Sequence, residues 1–234
     1  MQLGVREVAE LLNVSEKTVY RWLKRGKLSA YRVNDQYRFN RAELLEWATS
    51  EKLQVSPLIF SDPEGSSLPL PTLADAIRAG GINYRVGGAD KASVLGNIVE
   101  LMPLPEEVDR KFLLQVLLAR ESLGSTGMGE GIAIPHVRSP IVMHIPRPMV
   151  TLSFLEHPID FGAIDGKPVH TLFTLSSSTI RGHLHLLSRL SFALRQPGFR
   201  KSIVERGSRE GILDAAREND TLCGQLALDD KGNG

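Results

Sequence analysis

Apolar residues recur at helical spacing through the first fifty positions, then give way to a polar stretch rich in proline. Val5, Val8, Ala9, Leu11 and Leu12 share one stripe, which predicts a helix. Ser15 is placed to cap a second helix, Glu16 to Lys24, with Val19, Trp22 and Leu23 facing inward and Gly26 ending it. Leu28 to Phe39 (LSAYRVNDQYRF) reads as a β-hairpin that turns at Asn34-Asp35. Asn40 then caps a last helix, Arg41 to Thr49, carrying Leu44, Leu45 and Trp47.

Residues 52–72 (KLQVSPLIFSDPEGSSLPLPT) contain four prolines among Ser, Asp and Gly and read as a linker, although Leu58-Ile59-Phe60 could dock on a neighbour. From Leu73 onward, helical and strand patterns alternate. Leu73 to Ala79 predicts a helix stopped by Gly80-Gly81. Asp90 to Met102 and Glu106 to Glu121 predict two more. Pro148 to Leu155 and Val169 to Leu175 predict strands. His183 to Leu194 predicts a helix stopped by Pro197-Gly198, and Ser208 to Glu218 a short final helix. The alternation argues for an α/β sandwich with a central mixed β-sheet over 73–220, preceded by a small winged helix-turn-helix domain over 1–51, with a polar tail over 221–234.

Charge separates the two pieces. Residues 1–52 hold ten Lys/Arg against seven Asp/Glu, and residues 53–234 hold eighteen against twenty, a net of +3 and −2. Within 15–41 there are eight basic and two acidic residues, so the anionic partner belongs to the first piece. No apolar run is long enough for a membrane span, and the opening MQLGVREVAELL is not a secretory signal. Cys223 is the sole cysteine, which excludes an intrachain disulfide and fits a reducing cytoplasm.

The chemistry concentrates between Arg120 and His136. The run Gly124 to Gly131 (GSTGMGEG) allows tight turns and close backbone approach to an anion. It leads into Gly131-Ile132-Ala133-Ile134-Pro135-His136. Arg120, sixteen residues before His136, ends an apolar helix and offers a planar guanidinium fork. Ser125 and Thr126 offer hydroxyl donors. His183 opens another apolar helix and shares a face with Leu187, Leu190 and Leu194, which puts it at the core edge. A neutral imidazole, a fixed cation and a second imidazole suit a site that accepts a phosphoryl group and passes it on. Arg120 could instead pair with Glu121 or Glu130. His185 lies about 200° round the helix from His183, which excludes both a shared pocket and a metal pair. His144, His157 and His170 carry no supporting pattern. The Gly-rich run lacks the Gly-Lys-Ser/Thr ending of a nucleotide-binding loop.

The stretches DKASVLGNIVEL, LLARESLGSTGMGEGIAIPHVRSP, IDFGAIDGKPVHTLFTL and GHLHLLSRLSFALRQPGF resemble the enzyme IIA domain of the phosphoenolpyruvate-dependent phosphotransferase system, of the fructose/mannitol and nitrogen-regulatory type. The resemblance implies that His136 takes phosphate from a histidine-containing phosphocarrier protein. It also implies that Arg120 and His183 complete the pocket and that no metal or cofactor is needed. Val137 departs from the family, which more often has a small residue there.

The first segment (VREVAELLNVSEKTVYRWLKRGKLSAYRVNDQYRFNRAELLEWA) resembles the MerR/excisionase-type DNA-binding domain. Its second helix turns Glu16, Lys17, Thr18, Arg21, Lys24 and Arg25 outward, the residue types that reach phosphates and guanine edges of double-stranded DNA. Arg32, Tyr37 and Arg38 fall in the wing. One such domain makes few phosphate contacts, so a homodimer is expected. The combination predicts a cytoplasmic regulator in which phosphorylation of His136 is coupled to transcription. Two alternatives are a transport enzyme IIA passing phosphate to an enzyme IIB partner, and a regulator docking on client proteins.

Overall fold

The computed structural model describes residues 2–28, 30–33, 36–40, 44, 47–48, 51, 53, 70–137 and 147–232. The chain forms two compact units, residues 1–68 and 69–234.

In the first unit, α1 (Val5–Leu11) and α2 (Glu16–Lys24) are joined by a turn in which Asn13 takes a positive φ of 51°. Ser15 caps α2 as its position suggested, its Oγ accepting the Thr18 N–H at 3.3 Å. Gly26, at φ 65°, lies just beyond the helix. The expected hairpin is present as β2 (Tyr31–Val33) and β3 (Gln36–Asn40), in register Tyr31↔Arg38, Arg32↔Tyr37 and Val33↔Gln36. The Asn34-Asp35 turn lies outside the described residues. A third strand, β1 (Gln2–Leu3), pairs antiparallel with β3 and was not legible, because two residues carry no periodicity. Leu3, Val8, Ala9, Leu12, Val19, Leu28, Phe39, Leu44 and Ala48 are buried together as this unit's core. Leu44, Trp47 and Ala48 are helical as expected, and the Trp47 ring meets Trp22 edge-on at 5.0 Å. The rest of the predicted 41–49 helix is divided between described and undescribed residues, and Leu58-Ile59-Phe60 lies outside them.

The second unit is a three-layer α/β sandwich. Its sheet contains β4 (Ile82–Val86), β5 (Gly127–Gly129), β6 (Ile132–Ala133), β7 (Met149–Ile159) and β8 (Val169–Ser176), in the order β4-β7-β8-β6-β5. The β4/β7 and β6/β8 pairs are parallel, and the β7/β8 and β5/β6 pairs are antiparallel. Met149 to Leu155 are buried without alternation, because both faces of this strand are covered by helices. Leu172 joins the core under α4 (Lys91–Leu101) and α5 (Arg110–Ser122). The next residue, Phe173, points to the opposite face, where its ring lies 6.3 Å from that of Phe199 on α7 (Pro197–Val204). The remaining helices are α3 (Leu73–Gly80), α6 (Ile180–Ala193) and α8 (Arg209–Gly232).

Strand β7 runs four residues past the expected Leu155, and three helix boundaries differ from expectation by three residues or more. Helix α5 begins at Arg110 rather than Glu106, because the Asp109 carboxylate accepts the Phe112 N–H at 3.0 Å and caps it there. Helix α6 begins at Ile180 rather than His183, because Thr179 is the N-cap. Helix α8 runs to Gly232 rather than ending near Glu218, so most of the stretch read as a polar tail is helical. Its Asp220 explains part of this. The Asp220 carboxylate accepts the N–H groups of Leu73 and Ala74 at 2.9 and 3.0 Å and so caps α3 from 147 residues away. Pro71 and Thr72, assigned to the linker by composition, act within this unit. Thr72 caps α3, and the Pro71 carbonyl lies 2.9 Å from His185 Nε2.

Two tests follow from the packing. Gly131 (φ 76°) begins the path to β6, and a Cβ there would fall 2.2 Å from His170 Nε2; Gly166 (φ 68°) has open space around it. Gly166→Ala is expected to cost about 1 kcal/mol, from backbone strain alone. Gly131→Ala should cost about 3 kcal/mol, because overpacking adds to the strain. Denaturant unfolding of both variants checks the difference. The pKa values of His170 and His185 are both lowered in the fold, first by burial. The unfolded chain therefore binds these protons more readily, and their contribution to stability is complete above about pH 6.5 and is lost as pH falls. The unfolding temperature should drop between pH 7 and 5, and drop less in His185→Gln, which keeps a donor for Pro71 but cannot titrate.

Candidate functional site

From β6 the chain continues through Ile134 and Pro135 to His136, held on both sides. Ile134 donates its N–H to the Thr126 carbonyl at 3.0 Å, and Leu175 of β8 donates to the Pro135 carbonyl at 2.9 Å. His136 itself bridges Leu175 in parallel register. Proline suits position 135 because it has no N–H that would need a partner. The ring of His136 turns back on its own strand, with Nδ1 2.7 Å from the Ile134 carbonyl oxygen. A carbonyl can only accept, so in the neutral ring Nδ1 carries the hydrogen and Nε2 keeps its lone pair.

The structure brings His183 to this ring. Their centroids are 5.1 Å apart with the planes inclined at 47°, and the two residues are 3% and 2% exposed. Thr179 sets the approach of α6, its Oγ1 accepting the Gly182 N–H at 3.1 Å. The N–H of His183 is bonded to the Thr179 carbonyl at 3.0 Å. His183 therefore brings its ring to this place, its backbone N–H being taken up within the helix. Arg120 stands near the end of α5, with Nη1 donating to the Gly124 carbonyl at 2.8 Å. That bond ties it to the loop that Ile134 pairs with.

Ser125 and Thr126 differ from expectation. The Ser125 hydroxyl donates to the Phe161 carbonyl at 2.6 Å, and its oxygen accepts the Gly127 N–H at 3.1 Å. The Thr126 hydroxyl donates to the Glu121 carboxylate. A hydroxyl has one hydrogen, so in this arrangement neither residue has one to give to a phosphate. Both instead shape the loop.

Glu121 is the residue that sequence reasoning missed. It is 5% exposed. Its carboxylate accepts the Thr126 N–H at 3.2 Å, the Thr126 hydroxyl, and Lys91 Nζ at 3.3 Å. Lys91 lies over the Phe161 ring, 4.6 Å from its centroid. The alternative in which Glu121 pairs with Arg120 gives way to this inward contact, and Glu130 forms an ion pair with Arg200. No sequence signal marked Glu121 beyond its place in the Arg-Glu pair, since an acidic residue at a helix end ordinarily faces water. His185 points to Pro71, His157 is exposed, and His170 lies 2.8 Å from the Thr171 hydroxyl through Nδ1. His144 lies outside the described residues. Among the described residues, no group of three or more His, Cys, Asp or Glu is arranged to hold a metal ion.

In the first unit, α2 buries Val19 and exposes Glu16, Lys17, Arg21, Lys24 and Arg25. Lys17, Arg21 and Lys24 follow at steps of four and three and form one basic stripe. Thr18 is half-buried, with its hydroxyl 3.1 Å from that of Ser15, so it belongs to the cap. Tyr37 meets Tyr20 edge-on at 6.1 Å and joins the hairpin to α2. Arg38 is half-buried beside Gly4, and the side chain of Arg32 lies outside the described residues.

Residues 77–218 match the family described as "Phosphoenolpyruvate-dependent sugar phosphotransferase system, EIIA 2", a span of more than half the chain. The chain belongs to the EIIA 2 family. Residues 3–52 match the family described as "Helix-turn-helix domain". The EIIA unit is 37% identical over 131 residues to a nitrogen regulatory protein of Pseudomonas aeruginosa, covering 54% of this chain and 82% of that one. It is 31% identical over 142 residues to the fructose-specific EIIABC component of Bacillus subtilis, covering 59% of this chain but only 22% of that protein's length. The crystal structure of nitrogen regulatory protein IIA-Ntr from Neisseria meningitidis superposes with a TM-score of 0.53 at 27% identity, covering 62% of this chain and 98% of that one. The expected fold, a mixed sheet between helices, preceded along the chain by a helix-turn-helix domain, stands. Among the described residues, no helix is long and apolar enough to cross a membrane.

Removing Lys91 would leave the Glu121 carboxylate buried with fewer donors. Lys91→Met is expected to lower stability by about 2 kcal/mol, checked by denaturant unfolding.

Proposed function

We propose that this chain is a regulator in which His136 accepts a phosphoryl group from a histidine-containing phosphocarrier protein and the helix-turn-helix unit binds double-stranded DNA. The observation that carries the first half is the hydrogen bond from His136 Nδ1 to Ile134, which leaves Nε2 as the nucleophile. In the transfer, Nε2 forms a bond to phosphorus as the bond from phosphorus to the carrier's imidazole nitrogen breaks. The leaving nitrogen keeps the electron pair, and His136 keeps its Nδ1 hydrogen. Arg120 and His183 supply donors to the oxygens of the moving group, whose charge must be stabilised in place. Burial of both rings limits attack by water on the product.

The second half rests on the basic stripe of α2. A phosphate on His136 adds negative charge to the EIIA unit, and we propose that this changes DNA affinity. A single basic helix gives few phosphate contacts, so operator binding would draw on a homodimer. The setting is the cytoplasm, where phosphocarrier proteins and DNA are both present. A second reading, in which phosphate passes onward to an enzyme IIB partner, is supported by the likeness to a fructose-specific EIIABC component. Docking on client proteins is a third.

Incubation with phosphoenolpyruvate, enzyme I and the phosphocarrier protein should label the wild type with an acid-labile phosphoramidate. His136→Ala should take no label, and Arg120→Ala should be labelled about 100-fold more slowly. Label persisting in His136→Ala would move the site elsewhere. For DNA, Arg21→Ala and Lys24→Ala should each reduce the slope of log affinity against log salt by about 1. Gel shifts with and without prior phosphorylation should differ, and equal affinities would exclude the coupling.

A further inference from the structure

A continuous line of hydrogen bonds runs from the buried Glu121 to the ring of His136. The Glu121 carboxylate accepts the Thr126 N–H at 3.2 Å and also takes the Thr126 hydroxyl. The Thr126 carbonyl accepts the Ile134 N–H at 3.0 Å. The Ile134 carbonyl accepts Nδ1–H of His136 at 2.7 Å. Each link limits the next, because the N–H and C=O of Thr126, and those of Ile134, lie on adjacent rigid peptide planes joined at one Cα, and hydrogen bonds on both sides restrict the rotation between them. We propose that Glu121 is a positioning residue for His136, acting through Thr126 and Ile134 to hold the imidazole in its Nδ1-protonated tautomer, with the lone pair on Nε2.

Two features make this more than general packing. Glu121 is held from its other side by Lys91, which is fixed against the Phe161 ring. The Phe161 carbonyl in turn takes the Ser125 hydroxyl, one residue before Thr126. The carboxylate thus has an anchored cation behind it and the loop in front of it. Arg120, one position earlier on α5, grips the same loop at Gly124. The Arg-Glu pair closing α5 therefore clasps both ends of residues 124–126. Arg120 presents its guanidinium to this region, while Glu121 acts through the N–H and hydroxyl of Thr126. A carboxylate is needed because it can accept from Thr126 and Lys91 together. The amide of glutamine has a single acceptor oxygen and would turn a donor toward one of them.

The role in phosphoryl transfer rests on the reading of His136 as the acceptor, but the tautomer does not, so the two can fail separately. The test uses the full chain with 15N-labelled histidine. Long-range 1H–15N correlation should show His136 of the wild type protonated at Nδ1. In Glu121→Gln the spectrum should show a mixture of tautomers. Labelling by the phosphocarrier protein should then lose about 10- to 100-fold in kcat, the scale of a misplaced reacting group, with KM for the carrier changed less than about 2-fold. Thr126→Val removes the hydroxyl but keeps the N–H, and should show the same changes to a smaller degree; it decides the matter if Glu121→Gln does not fold. An unchanged His136 tautomer together with wild-type kcat in a folded variant would overturn the proposal, as would a loss confined to KM. If the wild type takes no label at all, the phosphoryl reading falls and the spectrum alone judges the role of Glu121.

Discussion

The site depends on one hydrogen bond, from Nδ1 of His136 to the carbonyl of Ile134. An imidazole with neither nitrogen fixed exchanges tautomers and turns about its side-chain bonds. Tied at Nδ1 to a peptide group two residues back, the neutral ring carries its hydrogen there and its lone pair on Nε2. The tie holds only if the Ile134 carbonyl itself cannot move. It cannot, because Ile134 is locked by its N–H to Thr126 while the adjacent Pro135 is locked to Leu175. Groups already in place need no rearrangement when charge develops, which is where such sites derive most of their advantage.

The sheet turns this local bond into a site. Strand β6 is only two residues long, yet it lies between β8 and β5 and delivers His136 to a buried position beside Leu175. Helix α6 follows β8 and, capped by Thr179, brings His183 to the same place. Helix α5 ends at the loop that Ile134 pairs with, where Arg120 is bonded to the Gly124 carbonyl. Three elements distant in sequence thus converge on a segment that has little secondary structure of its own. Elsewhere in the unit, Asp220 reaches back to cap α3, so the last helix and the first share one carboxylate.

The helix-turn-helix unit works by simpler rules. Its core is small, and a single helix both packs and presents its surface. Val19 faces inward, while Lys17, Arg21 and Lys24 face out. That division follows directly from 3.6 residues per turn, and so it could be read along the chain. Five of the eight basic residues in 15–41, Lys17, Arg21, Lys24, Arg25 and Lys27, are exposed, on the side the core does not use.

The amino-acid sequence by itself determined the elements with strong periodicity and the residues with strong chemistry. It placed α1, α2, the hairpin, the long strands and the Ser15 cap, and it singled out His136, Arg120 and His183. It misplaced the starts of α5 and α6, because Asp109 and Thr179 act through caps that compete with nearby alternatives, and it ended α8 too early, because Asp220 holds that helix to α3 from 147 residues away. Tertiary structure alone decided which hydroxyls are occupied and which charges are buried. Ser125 and Thr126 looked like donors to a ligand, but Phe161 and Glu121 lie close enough to accept their hydrogens. In sequence Glu121 offers a partner for Arg120, but Lys91, thirty residues earlier, is folded against it. Periodicity along a chain reports which side of an element faces the core. The partner of a buried polar group is set by contacts between elements, and local spacing carries no record of those.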